Sequence, residues 1–346
     1  MKTYRYIILF FLITIMSGSV KAQNWQLLWS DEFDGTTLNS NIWAPTVAGT
    51  GFGNKELQYY SNRSQNLRVE NGNLVMTALL ENYKVGTASW NYTSAKVSTQ
   101  NLKNVTYGKL ECRLKLPTGA GTWPAFWTLG YGGWPSCGEI DICEFQGSQP
   151  NQFQTNIHTK DYNGTNGTNF HLVKPVPSVS DSFHIYSIEW TAAKIKFYFD
   201  GVQYWSFAAA SVIPADYPFN GPIYIILNLA IGGTMGGAVD NAIFPQQMLV
   251  DYVRVYQDAS TGIDDPVSKD NPVISSFFSD KISIEFPDTY SPLKTISLID
   301  IHGRIIRTNQ TSDSKTEIES GFLSKGMYLV KINSGNRTYT QKVIKN

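Results

Sequence analysis

The sequence predicts an all-β chain: an antiparallel β-sandwich followed by a small second β unit. Three observations predict it. From Gln23 to about Gln257, short alternating runs are separated by Gly, Asn, Asp and Pro. No long amphipathic helix interrupts them. Aromatic residues make up 13% of the chain and charged ones only 16%, which suits a β-rich fold with a neutral ligand.

Taken in order, the N-terminus carries Lys2 and Arg5, an apolar run from Tyr6 to Met16, and then Val20-Lys21-Ala22. This reads as a signal peptide over residues 1–22, cut after Ala22. The run is shorter than the ~20 residues that span a bilayer, so no membrane span is expected after its removal. No Cys near the cut suggests a lipid anchor. Strands are expected at Gly108–Leu116, Phe183–Glu189, Lys194–Phe199 and Ile223–Leu229, and Asp200-Gly201 signals a tight hairpin. Residues 23–257, about 235 in number, suffice for one large core. Residues 258–271 are polar and punctuated by Gly and Pro, so they read as a linker. Residues 272–346 form the second, small β-sandwich, with strand patterns at Ile296–Asp300 and Leu323–Ile332 and a turn at His302-Gly303.

The formal charge is zero, and loss of Lys2, Arg5 and Lys21 leaves the mature chain slightly acidic. No basic patch with interleaved aromatics is present, so nucleic acid is not an expected partner. Three cysteines are an odd number, leaving at least one unpaired in the expected monomer. Cys112 alternates with apolar residues as a buried small hydrophobe, and Cys143 has no neighbouring His to make it a nucleophile.

Chemistry concentrates in Gly138–Phe145, which reads Gly-Glu-Ile-Asp-Ile-Cys-Glu-Phe. Alternating acid and Ile is a strand pattern with one polar and one apolar face. A regular strand would put Glu139 and Asp141 on one face and Glu144 on the other. One β-bulge at Ile142 or Cys143 returns Glu144 to the side of its fellow acids. Like charges so placed drive pKa values apart, which suits glycoside hydrolysis by one ionised and one protonated carboxyl. A solvated acidic face is the plainer alternative. The preceding Thr122–Gly130 stretch argues against it: Trp123 and Trp127 share a face with Ala125 between them, and Trp134 follows. Flat indoles beside carboxylates suit the apolar faces of sugar rings, so all three are candidate substrate platforms.

These motifs resemble glycoside hydrolase family 16, and within it the laminarinase-like bacterial β-1,3-glucanases. The resemblance spans about residues 24–257: Asp31–Gly35, Gly53–Tyr60, Tyr107–Glu111, the W-P-A-F-W stretch, the bulged E-I-D-I-x-E strand, Ile226–Gly233 and Val250–Tyr256. It sharpens the sandwich to a jelly roll with a concave substrate groove. It implies a secreted endo-acting β-1,3-glucan hydrolase that retains anomeric configuration. Agarases and carrageenases share the bulged motif, so another β-linked polysaccharide is the alternative, with a non-catalytic glucan-binding protein as a third reading.

By the same resemblance Glu139 is the nucleophile, Glu144 the general acid/base, and Asp141 orients Glu139. His158 would lie near the cleavage centre, although a single strand His is more often structural. Asn54 would line the groove, with a turn role after Gly53 as competitor. Lys96 stands where many relatives carry Arg, weakening one distal sugar contact. No cofactor is implied for catalysis. A structural calcium is implied on the convex side at Glu32, the Gly72 carbonyl and Asp251. Residues 272–346, with L-S-K-G-M-Y-L-V-K-I and the terminal K-V-I-K-N, resemble the C-terminal sorting domain of type IX secretion. That implies export through the periplasm to the cell surface or beyond, with the secretion machinery as partner. An accessory carbohydrate-binding sandwich is less apt, because this stretch has no tryptophan.

Overall fold

A computed structural model describes residues 24–212 and 216–259, and residues 272–345 except 275–276, 288–289, 291–292, 301–302 and 336. The expected signal peptide, most of the expected linker and His302 of the expected turn lie outside the described residues. No helix among the described residues is long and apolar enough to cross a membrane. The chain divides into two compact units, with Trp25–Thr261 forming the larger.

That unit holds two sheets, of ten and seven strands. The ten-stranded sheet has at its centre Gly108–Lys115 between His184–Trp190 and Gln246–Asp258. The seven-stranded sheet runs Phe170–Pro175, Gln152–His158, Glu139–Glu144, Thr122–Gly130, Ile223–Ile231, Lys96–Ser98 and Ala44–Pro45. All its pairings are antiparallel. Between the sheets lies one apolar core, containing Trp190, Tyr186, Phe126 and Phe153 from both layers. The hairpin at Asp200-Gly201 forms as expected, with Phe199 opposite Val202 and both turn residues at positive φ (47° and 78°).

Glu139–Glu144 carries the bulge. Against Thr122–Gly130, Asp141 faces Trp127 and Cys143 faces Phe126, so Ile142 is the extra residue. On the other side Asp141 faces Asn156, whereas Glu144 faces Gln154. The partners of Glu139, Asp141 and Glu144 therefore step by two along each neighbour: Leu129, Trp127, Ala125 and His158, Asn156, Gln154. All three acids thus share one face. Ile140, Ile142 and Cys143 all join the core at 1% exposure or less. Burying each isoleucine contributes about 2–3 kcal/mol, enough to hold the strand in this parity.

A bulge breaks the ladder, and the exposed carbonyls need other donors. The fully buried Thr155 donates its hydroxyl to the Asp141 carbonyl, and Thr128 to that of Ile140 at 3.4 Å.

The smaller unit has sheets of three and five strands around a separate core that includes Ile282, Leu298, Val330 and Val343. Its last strand, Arg337–Lys345, pairs antiparallel with Gly326–Ser334 and parallel with Phe277–Phe278. The buried Lys345 donates to the Ser279, Ser320 and Gly321 carbonyls. Lys345 is thereby tied to backbone on neighbouring segments of the unit.

The Thr155→Val variant keeps side-chain shape but leaves the Asp141 carbonyl without its donor. We expect it to lose about 1–3 kcal/mol of stability in equilibrium urea unfolding; an unchanged midpoint would show that the hydroxyl does not support the bulge.

Candidate active site

A pocket of about 200 Å³ opens over the shared acid face, lined by Glu139, Asp141 and Glu144 and by Trp123, Trp127 and Ala125. Phe52, Asn54, Glu56, Tyr60, Lys96 and Asn228 close its other side. Trp123 and Trp127 share the groove face because they sit four apart on one extended strand. Asn54 reaches the pocket from the end of the short Gly51–Gly53 turn, so the turn reading and the groove reading of this residue are compatible.

The tryptophans do more than offer flat faces. Trp123 Nε1 donates to Glu144 Oε1 at 3.2 Å, and Trp134 Nε1 donates to Glu139 Oε2 at 2.5 Å. Trp127 Nε1 donates to Asn228 Oδ1 at 2.7 Å. Glu144 also accepts from Asn156 Nδ2 and, at 3.3 Å, from Gln154 Nε2. Each outer glutamate is thus solvated by neutral N–H donors rather than by a cation. Such donors stabilise a carboxylate without locking it into an ion pair.

His158 stands beside them on the same face as Asn156 and Gln154. Gly164 N–H donates to its Nδ1 at 3.1 Å, which needs a lone pair there and leaves the ring proton on Nε2. That Nε2 lies 3.2 Å from Asp141 Oδ2, close enough to interact but not aligned as a hydrogen bond. Asp141 Oδ2 is consequently buried without an aligned donor. Burial first, and then the charge of Asp141, push the Glu139 carboxyl well above the usual carboxylate range. Burial and the charge of Glu144 do the same to Asp141, which is hydrogen-bonded to Glu139. The pair therefore keeps a proton that separate carboxyls would lose. The hydrogen bond between the two raises the pKa of Glu139 and lowers that of Asp141, and the His158 Nε2–H faces Asp141 Oδ2.

Lys96 is not distal. It shares the pocket with Glu139, and its ammonium lies 4.9 Å from the Trp127 ring centre and 5.1 Å from that of Phe52. Burial lowers its pKa, opposed by the charges of Glu56 and Glu139. The surrounding residues Phe52, Glu56, Tyr60, Asn228, Asn156 and Gln154 were not singled out from sequence. The alternation Gln154-x-Asn156-x-His158 is a readable signal for the last two, since it puts three polar groups on one strand face. For the others, only tertiary pairing reveals the site.

The convex-side positions expected for calcium come to one corner of the ten-stranded sheet, where Asp31 faces Val253 and Val250 faces Leu74. Both carboxylates there are already neutralised. Arg254 grips both Glu32 oxygens at 3.0 and 2.8 Å, and Arg113 holds Asp251 at 2.6 Å. Among the described residues, the one close group of Asp, Glu, His or Cys side chains able to share an ion is Glu139, Asp141 and His158.

A raised native pKa means that the native state binds protons the unfolded chain has released. Stability from the Glu139–Asp141 pair is therefore full below the ordinary carboxylate range and falls as pH rises through the raised native values. While burial still raises Glu139, Asp141→Asn removes the part of this loss that the Asp141 charge causes. Its Tm should match wild type in acid and exceed it by about 2–4 °C at mildly alkaline pH, read by calorimetry. A Tm difference independent of pH would contradict the shared proton.

Residues 47–254 match Glycosyl hydrolases family 16, and residues 277–346 match the Secretion system C-terminal sorting domain. A beta-glucanase from Rhodothermus marinus is 40% identical over 270 residues, covering 71% of this chain and 93% of that protein. The catalytic domain of an endo-1,3-beta-glucanase (laminarinase) from Thermotoga petrophila RKU-1 superposes with a TM-score of 0.65 at 38% identity, covering 69% of this chain and all (100%) of that one. The laminarinase from Flavobacterium sp. UMI-01 gives a TM-score of 0.62 at 40% identity, covering 67% and 100% of the two chains. The sorting domain marks the chain for export to the cell surface or beyond. With its two-sheet sandwich, the bulged acid strand and these likenesses, the larger unit makes this chain a member of glycosyl hydrolase family 16.

Proposed function

We propose that the chain is an endo-acting hydrolase of β-1,3-glucan of the laminarin type, working by a retaining double displacement. The observation that carries this reading is the bulged strand, which turns Glu139, Asp141 and Glu144 onto one face beneath three indoles. Glu139 attacks the anomeric carbon, and the departing glycosidic oxygen takes its proton from Glu144. A covalent glycosyl–Glu139 ester results. Glu144, now ionised, removes a proton from water as the water attacks that carbon and frees Glu139. Such chemistry calls for carboxyl groups ~5–5.5 Å apart.

Asp141 orients Glu139 through the hydrogen bond between them in the resting enzyme, and His158 steadies Asp141. Trp123, Trp127 and Trp134 offer sugar platforms, and the N–H groups of Trp123 and Trp134 aim Glu144 and Glu139. Asn54 and Lys96 supply hydroxyl-binding groups on the same side as Trp127. Catalysis needs no cofactor. The likeness to glucanases with β-1,3 in their names supports the linkage; hydrolysis of mixed-linkage glucan, agar or carrageenan is the competing reading. We assign residues 1–22 to the signal peptide, 23–257 to the catalytic unit, 258–271 to the linker and 272–346 to sorting.

Reducing-sugar release from laminarin, lichenan, agarose and carrageenan tests the substrate. Laminarin should lead, and Glu139→Gln should abolish release. Glu144→Gln should lose about 10²–10⁴-fold on laminarin. It should form the glycosyl-enzyme normally from an aryl glycoside whose leaving group needs no proton, seen as a burst of phenol. Release confined to another polymer would keep the mechanism and overturn the linkage.

For calcium, the arginine-paired carboxylates do not fit a resident ion as they stand. Added calcium or a chelator should leave the Tm of the purified enzyme unchanged. A calcium-dependent rise would mean that Glu32 and Asp251 exchange their arginines for the metal.

A further inference from the structure

Glu144 borders a second, shallow cleft of about 20 Å³ on the side away from Lys96. Its lining is amide-rich: Gln146, Gln149, Gln152 and Gln154, together with Phe153, Val173 and Met235. The register places residues of both clefts on one row, with Glu144 lining each of them. Lys96 faces Asn228, Asn228 faces Ala125, Ala125 faces Glu144, Glu144 faces Gln154 and Gln154 faces Val173. One cross-strand row thus passes from the aromatic pocket, beneath Glu144, into the amide cleft. Strands lie ~4.8 Å apart, so these steps give the row a length of about 24 Å, enough for several sugar units. A polysaccharide laid along it is divided at Glu144.

Three of the glutamines form a chain. Gln152 Nε2 donates to Gln149 Oε1, and Gln149 Nε2 donates to Gln146 Oε1 at 2.6 Å. Among the described residues, this chain leaves the Gln146 NH2 group at one end and the Gln152 amide oxygen at the other without a hydrogen-bond partner, a donor and an acceptor group such as a sugar diol needs. Gln154 links this wall to the acid itself, donating to Glu144 at 3.3 Å. No tryptophan lines this cleft, whereas Trp123 and Trp127 line the other.

We propose that the amide cleft seats the leaving-group side of the substrate, and that the Gln146–Gln149–Gln152 chain positions the first departing sugar and any sugar acceptor. This rests on the reading of Glu144 as the proton donor. The bond that breaks must lie beside Glu144, so the part that receives its proton belongs on the far side from Glu139. Neutral amides suit that place. They orient hydroxyls without adding charge beside a group that must give up a proton, and they release the product more readily than a stacked indole would.

The test compares the mature enzyme with Gln149→Ala and with the double variant Gln149→Ala/Gln152→Ala. Gln149 is exposed and Gln152 half-buried, so both truncations are compatible with folding, which Tm and circular dichroism check. Two substrates are used: a β-1,3-linked glucose hexamer, which spans both clefts, and 2-chloro-4-nitrophenyl β-laminaribioside, whose sugars occupy the aromatic side alone. The ratio of kcat/KM on hexamer to that on aryl glycoside should fall about tenfold in the double variant and less in the single one. Transfer products formed with added laminaribiose should fall in step. A ratio and a transfer yield unchanged from wild type would overturn the assignment. Wild-type enzyme inert on both substrates would instead defeat the β-1,3-glucan reading, and this assignment with it.

Discussion

A single extra residue in one strand governs the rest of the site. Without Ile142 looped into the ladder, Glu144 would point into the apolar core and Cys143 into the groove. The bulge lets the strand meet two demands at once: acids on one face, and Ile140, Ile142 and Cys143 in the core. Neither neighbour bulges with it. Each supplies a threonine hydroxyl to a carbonyl that the irregularity exposes. Local disorder of the ladder is thereby confined to one strand, and the sheet remains rigid enough to hold three acids in fixed relation.

Three carboxyls on one face would repel if all were ionised. The structure answers in two ways. Glu139 and Asp141 share a proton, because burial makes two neighbouring charges costlier than one. The remaining charge is met by indole and amide N–H groups, while the nearby ammonium of Lys96 rests among aromatic rings and, among the described residues, makes no direct ion pair. Neutral donors leave each glutamate free to change charge during a reaction. A guanidinium against either one would have held it ionised throughout. The contrast lies on the other sheet, where Arg254 and Arg113 do hold Glu32 and Asp251 and no chemistry is asked of them.

The smaller unit solves a different problem. Its final strand is inserted between two others, one of them parallel, and Lys345 is capped by backbone carbonyls. The basic Lys342–Lys345 stretch is thus a structural element of the unit. The unit has a hydrophobic core of its own.

Much of this was legible in the chain itself. Period-two patterning determined the all-β class, Asp200-Gly201 determined a hairpin, and the parity of Glu139, Asp141 and Glu144 required a bulge once a shared face was assumed. Residues four apart on a strand share a face whatever the fold, so Trp123 and Trp127 could be paired at sight. Tertiary structure alone decided what lies across from them. Asn228, Tyr60, Glu56 and Lys96 come from strands and turns far apart in sequence, and only the order of strands in the sheet sets them against the acids. The same holds for the indole donors, for the tautomer of His158 set by Gly164, and for the arginines that occupy Glu32 and Asp251. Periodicity tells which way a side chain points, because that is a property of the backbone; which partner it meets depends on pairings between distant segments, and these are chosen by the packing of the whole core.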